Sequence, residues 1–159
     1  MPSARRLGRH SIKSGISGVK VCIDINVFLN VLNRELNFYN DSKEVLNAID
    51  QGRVDAVIPT LVIAEIVTGF YADNKSKAAE QFLSTILSNN NIRVVQLSVE
   101  IANSSTLIRA RTGMRLSDCI IMSTALLEKV DYVVTNDRNF PDTFHGLHCI
   151  KPSELVKLL

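Results

Sequence analysis

Short apolar runs alternate along this chain with stretches in which apolar positions recur at helical spacing. The runs are rich in β-branched residues, as is typical of strands, and cover residues 19–24, 53–58, 91–97, 131–135 and 147–150. The helical patterns cover residues 26–35, 42–52, 61–71, 75–88, 99–111, 118–129 and 154–159. Because parallel strands are joined by crossover helices, this order predicts an α/β protein, a three-layer α/β/α sandwich with a central parallel sheet of four to five strands.

Turn and capping residues indicate where several of these helices begin and end. Thr60 is predicted to cap the helix after the second strand, and Ser117 the helix that begins at Asp118. Ser98 opens the preceding helix, which is predicted to end near Gly113.

Four acidic residues interrupt the apolar segments: Asp24, Glu65, Asp118 and Asp137. An unpaired carboxylate in an apolar setting either has a raised pKa or is compensated by a cation. Ligand sites of parallel sheets lie at the carboxyl ends of the strands, and Asp24 ends the first strand while Asp137 follows the fourth. The topology therefore predicts that acids far apart in sequence approach one edge of the sheet.

Carboxylates gathered in this way predict a site for a hard cation, and one or two Mg²⁺ or Mn²⁺ ions are expected there. Such a site activates water and stabilises the leaving oxygen of a phosphodiester. Each aspartate also has a plainer explanation. Asp24 suits a helix cap, Asp118 a helix N-terminus and Asp137 a turn. Neither cap nor turn chemistry explains Glu65, which lies in mid-helix.

The charge is unevenly distributed along the chain. The net charge is +2, yet residues 1–18 hold four basic residues and no acid, so residues 19–159 hold 14 basic and 16 acidic residues. Residues 1–18 are predicted to form a flexible basic arm, and residues 19–159 one domain. The three cysteines are widely separated in sequence, which argues against a disulfide framework and favours a cytoplasmic location. No apolar run reaches the roughly 18 residues that a membrane span requires.

Four segments carry a resemblance to a known family: CIDINVFL, IPTLVIAEIV, RLSDCIIMSTAL and VVTNDRNF. Through them, over about residues 19–159, the chain resembles the PIN-domain family and especially the VapC-type toxin ribonucleases. In that family the motifs supply, in order, an Asp with an Asn two residues later, a helical Glu, an Asp at a helix start and a Thr-x-Asp. The matching residues here are Asp24, Asn26, Glu65, Asp118, Thr135 and Asp137.

The resemblance implies a PIN-like nuclease domain and Mg²⁺- or Mn²⁺-dependent cleavage of RNA. It implies that Asp24, Glu65 and Asp118 bind the catalytic ion, and that Asp137 binds a second ion or orients water. Asn26 and Thr135 then hold ligands or the scissile phosphate by hydrogen bonds. Many relatives carry a further acid where this chain has Asn139, and its loss should weaken the second metal position.

The resemblance also implies frequent homodimers and inhibition by a cognate antitoxin, as in a type II toxin–antitoxin pair. Two alternatives stay open: a PIN-domain nuclease of RNA processing or decay without an antitoxin, and a non-catalytic module that binds RNA or protein. Arginines near the acids are either phosphate ligands or helix-end residues. They are Arg109, Arg111, Arg115 and Arg138.

Overall fold

The computed structural model describes residues 18–159, and residues 1–17 of the predicted basic arm lie outside the described residues. The strands of the described range are β1 (Val19–Ile23), β2 (Val54–Pro59), β3 (Ile92–Val95), β4 (Tyr132–Val134), β5 (Thr143–Phe144) and β6 (Leu147–Ile150). The helices of this range are α1 (Ile25–Leu32), α2 (Tyr39–Asp50), α3 (Thr60–Ala72), α4 (Ser76–Ser88), α5 (Val99–Thr112), α6 (Leu116–Leu127) and α7 (Pro152–Leu158).

The strands form one sheet in the order β3-β2-β1-β4-β6-β5. The first five are parallel, and β5 pairs with β6 in the antiparallel direction. The predicted α/β architecture is confirmed, with the helices covering a mostly parallel sheet. The described sheet has six strands rather than four to five, because β5 contains two residues and so has no readable apolar pattern.

β1 lies in the middle of the sheet, between β2 and β4. Val21, Cys22 and Ile23 are fully buried, as expected for a parallel strand covered on both faces. Helix α6 is also enclosed, since every residue from Asp118 to Ala125 is buried. Two elements that carry candidate acids, the end of β1 and the start of α6, thus belong to the core.

The capping predictions have mixed outcomes. Ser98 does cap α5, because its Oγ accepts a hydrogen bond from the backbone N–H of Ile101 at 3.1 Å. Gly113 ends that helix in the left-handed conformation, with φ at 71°. The predictions for Thr60 and Ser117 were wrong, because both residues lie inside their helices.

These two errors have a physical reason. The cap positions are held by Pro59 and Arg115, and neither makes a side-chain cap bond. A strand or extended segment leads directly into each helix there, so tertiary structure fixes the helix start without a polar cap. All three cysteines are free, as expected. Within residues 18–159, no helix is long and apolar enough to cross a membrane.

Candidate functional site

The neighbouring strands β1 and β4 bring two chain segments together at their carboxyl ends. Asp24 follows β1 directly, and its backbone N–H donates to the Val134 carbonyl oxygen in β4 at 3.1 Å. Thr135, Asn136 and Asp137 then follow β4. The sheet thereby places Asp24 beside this loop, at the edge where the sequence predicted the acids to approach one another.

Asp24 is buried and fully hydrogen-bonded at this edge. Its Oδ1 accepts from the Ile25 backbone N–H at 2.7 Å. Its Oδ2 accepts from Asn26 Nδ2 and from Thr135 Oγ1, both at 2.7 Å. Asp24 is also the N-cap residue of α1. The residue therefore caps a helix and lies at the acidic edge of the sheet at the same time.

Thr135 joins the two segments through its hydroxyl group. The hydroxyl donates to Asp24, and it accepts from Asn26 Nδ2 at 3.0 Å and from the Asp137 backbone N–H at 2.9 Å. Asn26 Oδ1 accepts from the Asn136 backbone N–H at 3.1 Å. Asn26 and Thr135 therefore position Asp24 and fix the loop after β4 against α1.

Replacing Thr135 with valine should lower the free energy of unfolding by about 1–3 kcal/mol, because buried partners of the hydroxyl lose their hydrogen bonds. Urea unfolding would measure this loss. Thr85→Val is a matched control, since the Thr85 hydroxyl donates only within the exposed face of α4. Its effect should stay within about 0.5 kcal/mol. Equal losses in the two variants would show that the Thr135 network contributes nothing specific.

The environment of Asp24 disfavours its negative charge. The pKa of Asp24 is raised to about 6, mainly by burial and to a smaller extent by the charges of Asp118 and Asp137. The hydrogen bonds from Thr135 and Ile25 act in the opposite direction. Three carboxyl groups from β1, α6 and the loop after β4 therefore share one electrostatic field.

Arg115 bridges two of these carboxylates. Its Nε lies 3.0 Å from Asp118 Oδ2, and its Nη2 lies 2.7 Å from Asp137 Oδ2. The Asp118 and Asp137 side chains are 5% and 20% exposed, whereas that of Arg115 is 65% exposed. Hydrogen bonding and charge from Asp118, followed by the charge of Asp137, raise the pKa of Arg115. A cation is thus held between two of the predicted metal ligands.

Asp137 also forms the turn that its sequence context suggested. Its Oδ1 accepts from the Asn139 backbone N–H at 2.9 Å, while its Oδ2 pairs with Arg115. One oxygen of Asp137 therefore stabilises the turn, and the other pairs with Arg115.

Glu65 differs from the other three acids because it is exposed on α3. The expectation of an acid in an apolar setting was wrong for this residue, because α3 turns Val62 and Ile66 inward and leaves Glu65 outside that face. The pKa of Glu65 is nevertheless raised, first by partial loss of solvent at the carboxyl group and then by the charge of Asp118. Glu65 is therefore electrostatically coupled to Asp118.

The other candidate arginines are less closely tied to the acids. Arg138 is exposed and lines, with Asp137, a cavity of about 650 Å³ beside the acidic edge. Arg109 Nη1 donates to the Met114 carbonyl oxygen at 2.8 Å, which holds the segment between α5 and α6. Arg111 is exposed at the end of α5 and is not part of the described hydrogen-bond network around Asp24.

A match to a protein-family model identifies the family of this chain. The model of the PIN domain matches residues 21–144. The chain belongs to the PIN-domain family. The match includes all four candidate acids and most of the described sheet, so the motifs and the fold agree.

Solved structures similar to this PIN-domain chain come from several bacteria. A toxin–antitoxin complex from Klebsiella pneumoniae is 20% identical with a TM-score of 0.63, covering 83% of this chain and 97% of that one. VapBC2 from Rickettsia felis, bound to a DNA fragment from their promoter, is 17% identical with a TM-score of 0.65, covering 84% and 98%. VapC20 from Mycobacterium tuberculosis, a Sarcin-Ricin loop cleaving toxin, is 12% identical with a TM-score of 0.63, covering 80% and 98%.

At these identities the likeness establishes the fold. No curated protein shows a significant sequence match to the chain.

The donor chemistry of the PIN-domain site suits a hard cation, but its present geometry does not form a cage. Within residues 18–159, no group of three His, Cys, Asp or Glu side chains is arranged to hold a metal ion. The carboxylate oxygens are the ligands that Mg²⁺ and Mn²⁺ prefer. The guanidinium of Arg115 holds positive charge between two of them. The donor chemistry therefore suits a hard cation, and the positive charge between two of these carboxylates is supplied here by Arg115.

Two features of the site had no signal in the sequence. The pairing of Arg115 with Asp137 joins residues 22 positions apart, through the approach of α6 to the loop after β4. Asn136 Nδ2 is buried without a hydrogen-bond partner among the described residues. Arg115 was expected at an RNA phosphate or a helix end, and the structure places it at the N-cap of α6 with its guanidinium on two carboxylates.

Proposed function

We propose that this PIN-domain chain is a metal-dependent endoribonuclease that hydrolyses phosphodiester bonds of RNA. The observation that carries the proposal is the convergence of Asp24, Asp118 and Asp137 at one edge of the sheet, where burial, with a smaller contribution from the charges of the other two acids, raises the pKa of Asp24 to about 6. Negative charge in such a setting is costly for the folded protein, and a cation relieves that cost. Membership of the PIN-domain family supports the same chemistry.

In this proposal Asp24, Asp118 and Asp137, with Glu65 from α3, hold one or two Mg²⁺ or Mn²⁺ ions. A bound ion supplies an activated water and stabilises charge on the phosphate. The residues of the chain do the rest. Asn26 and Thr135 keep the Asp24 carboxylate in one orientation through their 2.7 Å hydrogen bonds. The exposed Arg111 and Arg138 are phosphate ligands of the RNA strand.

The second part of the proposal concerns the partner. The chain is the toxin of a type II toxin–antitoxin pair, cytoplasmic and homodimeric, and its activity is stopped by a cognate antitoxin. Support comes from the fold, which it shares with structures named as toxin–antitoxin complexes. The observation that separates this function from RNA processing or decay is a neighbouring gene whose protein binds the chain and stops its cleavage.

Cleavage of a labelled single-stranded RNA pool tests the catalytic proposal. Cuts are expected with Mn²⁺, none with EDTA, and full recovery when excess Mn²⁺ is restored. Cleavage that persists unchanged in EDTA would contradict a metal mechanism. RNA binding without any cutting by a folded, Mn²⁺-bound protein would instead favour the non-catalytic module.

A further inference from the structure

We propose that Arg115 couples metal binding to substrate binding. Its guanidinium pairs with Asp118 and Asp137 before the ion binds, leaves them when the ion binds, and then pairs with a phosphate of the RNA strand. This inference rests on the proposed function. It makes Arg115 the residue through which binding of the ion and binding of the RNA affect each other.

The contacts of Arg115 show that the arginine and an ion compete for the same atoms. The guanidinium contacts Oδ2 of Asp118 at 3.0 Å and Oδ2 of Asp137 at 2.7 Å. An ion held by these two carboxylates would need oxygen atoms that now accept from the arginine. Two positive charges at one position repel, so binding of the ion requires the guanidinium to leave.

The surroundings of Arg115 leave its side chain room to move into solvent. The side chain is 65% exposed, whereas its partner carboxylates are 5% and 20% exposed. The acids are therefore fixed by the core, and the arginine reaches them from solvent. Its backbone is anchored at the N-cap of α6, three residues before Asp118, so the released guanidinium remains beside the site.

The released guanidinium matches the chemistry of the proposed substrate. Arginine stays charged and presents a planar set of donors that binds phosphate through two hydrogen bonds. A phosphate that takes up the guanidinium removes the competitor of the ion. By linkage, the phosphate strand then raises the affinity for the ion, and the ion raises the affinity for the strand by the same factor.

Calorimetric titration of the full chain with Mn²⁺ tests the competition. Arg115→Gln should bind Mn²⁺ on the order of ten-fold more tightly than the wild type, because no ion pair has to be broken. Arg138→Gln is the matched control. It removes one positive charge beside Asp137 without removing a described ion pair, and its affinity should change by less than about three-fold. Asp118→Asn should lose Mn²⁺ binding.

A second titration tests the coupling to the substrate. A short 2′-O-methyl single-stranded RNA should increase the Mn²⁺ affinity of the wild type but not that of Arg115→Gln. Arg115→Lys keeps the charge without the planar donor set and should give an intermediate affinity. It also serves if Arg115→Gln does not fold, which circular dichroism would reveal.

Each other outcome has a distinct meaning. Equal or weaker Mn²⁺ binding by Arg115→Gln overturns the inference, since the arginine would then support the ion site. An equal gain in Arg138→Gln also overturns it, because net charge alone would explain the change. No Mn²⁺ binding by the wild type, or unchanged binding by Asp118→Asn, overturns the proposed metal site itself and the coupling with it.

Discussion

Asp118→Asn should reduce RNA cleavage by on the order of a thousand-fold while leaving the fold intact. Loss of a partner that merely orients a metal ligand commonly costs 10–100-fold, and Asp118 is proposed as a ligand itself. The substitution is nearly isosteric, and it removes one negative charge from a residue that is 4% exposed. The ion then loses both an oxygen ligand and much of the field that holds it.

Cleavage rates of purified wild type and variant on the same RNA, at an Mn²⁺ concentration that saturates the wild type, measure this effect. Glu80→Gln is a suitable control, because it removes one negative charge from an exposed position on α4. Its rate should equal that of the wild type. Circular dichroism and urea unfolding establish that both variants are folded. If a folded Asp118→Asn protein cleaved at the wild-type rate, the proposed site would be wrong.

The second large effect is a pH-dependent stability caused by Asp24. The pKa of its carboxyl group is 3.8 in the reference state and about 6 in the folded protein, mainly because of burial. Between these pH values the folded chain binds more protons than the unfolded chain, so the free energy of unfolding falls as the pH rises. Above about pH 6 the metal-free folded protein contains an ionised, buried Asp24, which lowers its free energy of unfolding by about 3 kcal/mol.

Urea unfolding in EDTA at pH 4 and pH 7 tests this for the wild type and Asp24→Asn. The asparagine does not titrate, so its stability relative to the wild type should rise by about 2.4 kcal/mol from pH 4 to pH 7. Added Mn²⁺ at pH 7 should restore stability to the wild type only, because the ion binds the ionised carboxylate. A pH-independent difference between the two proteins would mean that Asp24 ionises normally in the folded chain.

The fold and the approach of the acids were readable because they depend on local patterns. A β-branched run that ends in Asp24, and another followed by Asp137, place both residues at the carboxyl ends of parallel strands. To predict that the two residues lie at the same edge, it was enough to recognise the two strands and to expect them to be parallel. The pairing of β1 with β4 then brings these two ends together.

The exposure of Glu65 was not readable, because α3 is apolar around much of its circumference. Leu61, Ile63 and Val67 are half-buried, while Val62 and Ile66 face the core. An apolar sequence without a polar face does not indicate which side packs inward.

The position of Arg115 was not readable for another reason. It depends on how closely α6 approaches the loop after β4, which is a property of tertiary packing. The sequence showed a cation near an acid three residues later, but the contact with Asp137 appears only in the folded chain.

The hydrogen bond between Thr135 and Asp24 joins residues 111 positions apart. Closing so long a loop costs chain entropy, which is offset only when β4 pairs with β1 in the sheet. A nascent chain on the ribosome has Asp24 and Glu65 well before it has Thr135 and Asp137. During its own synthesis the polypeptide therefore has no assembled acidic edge until β4 has been made and docked.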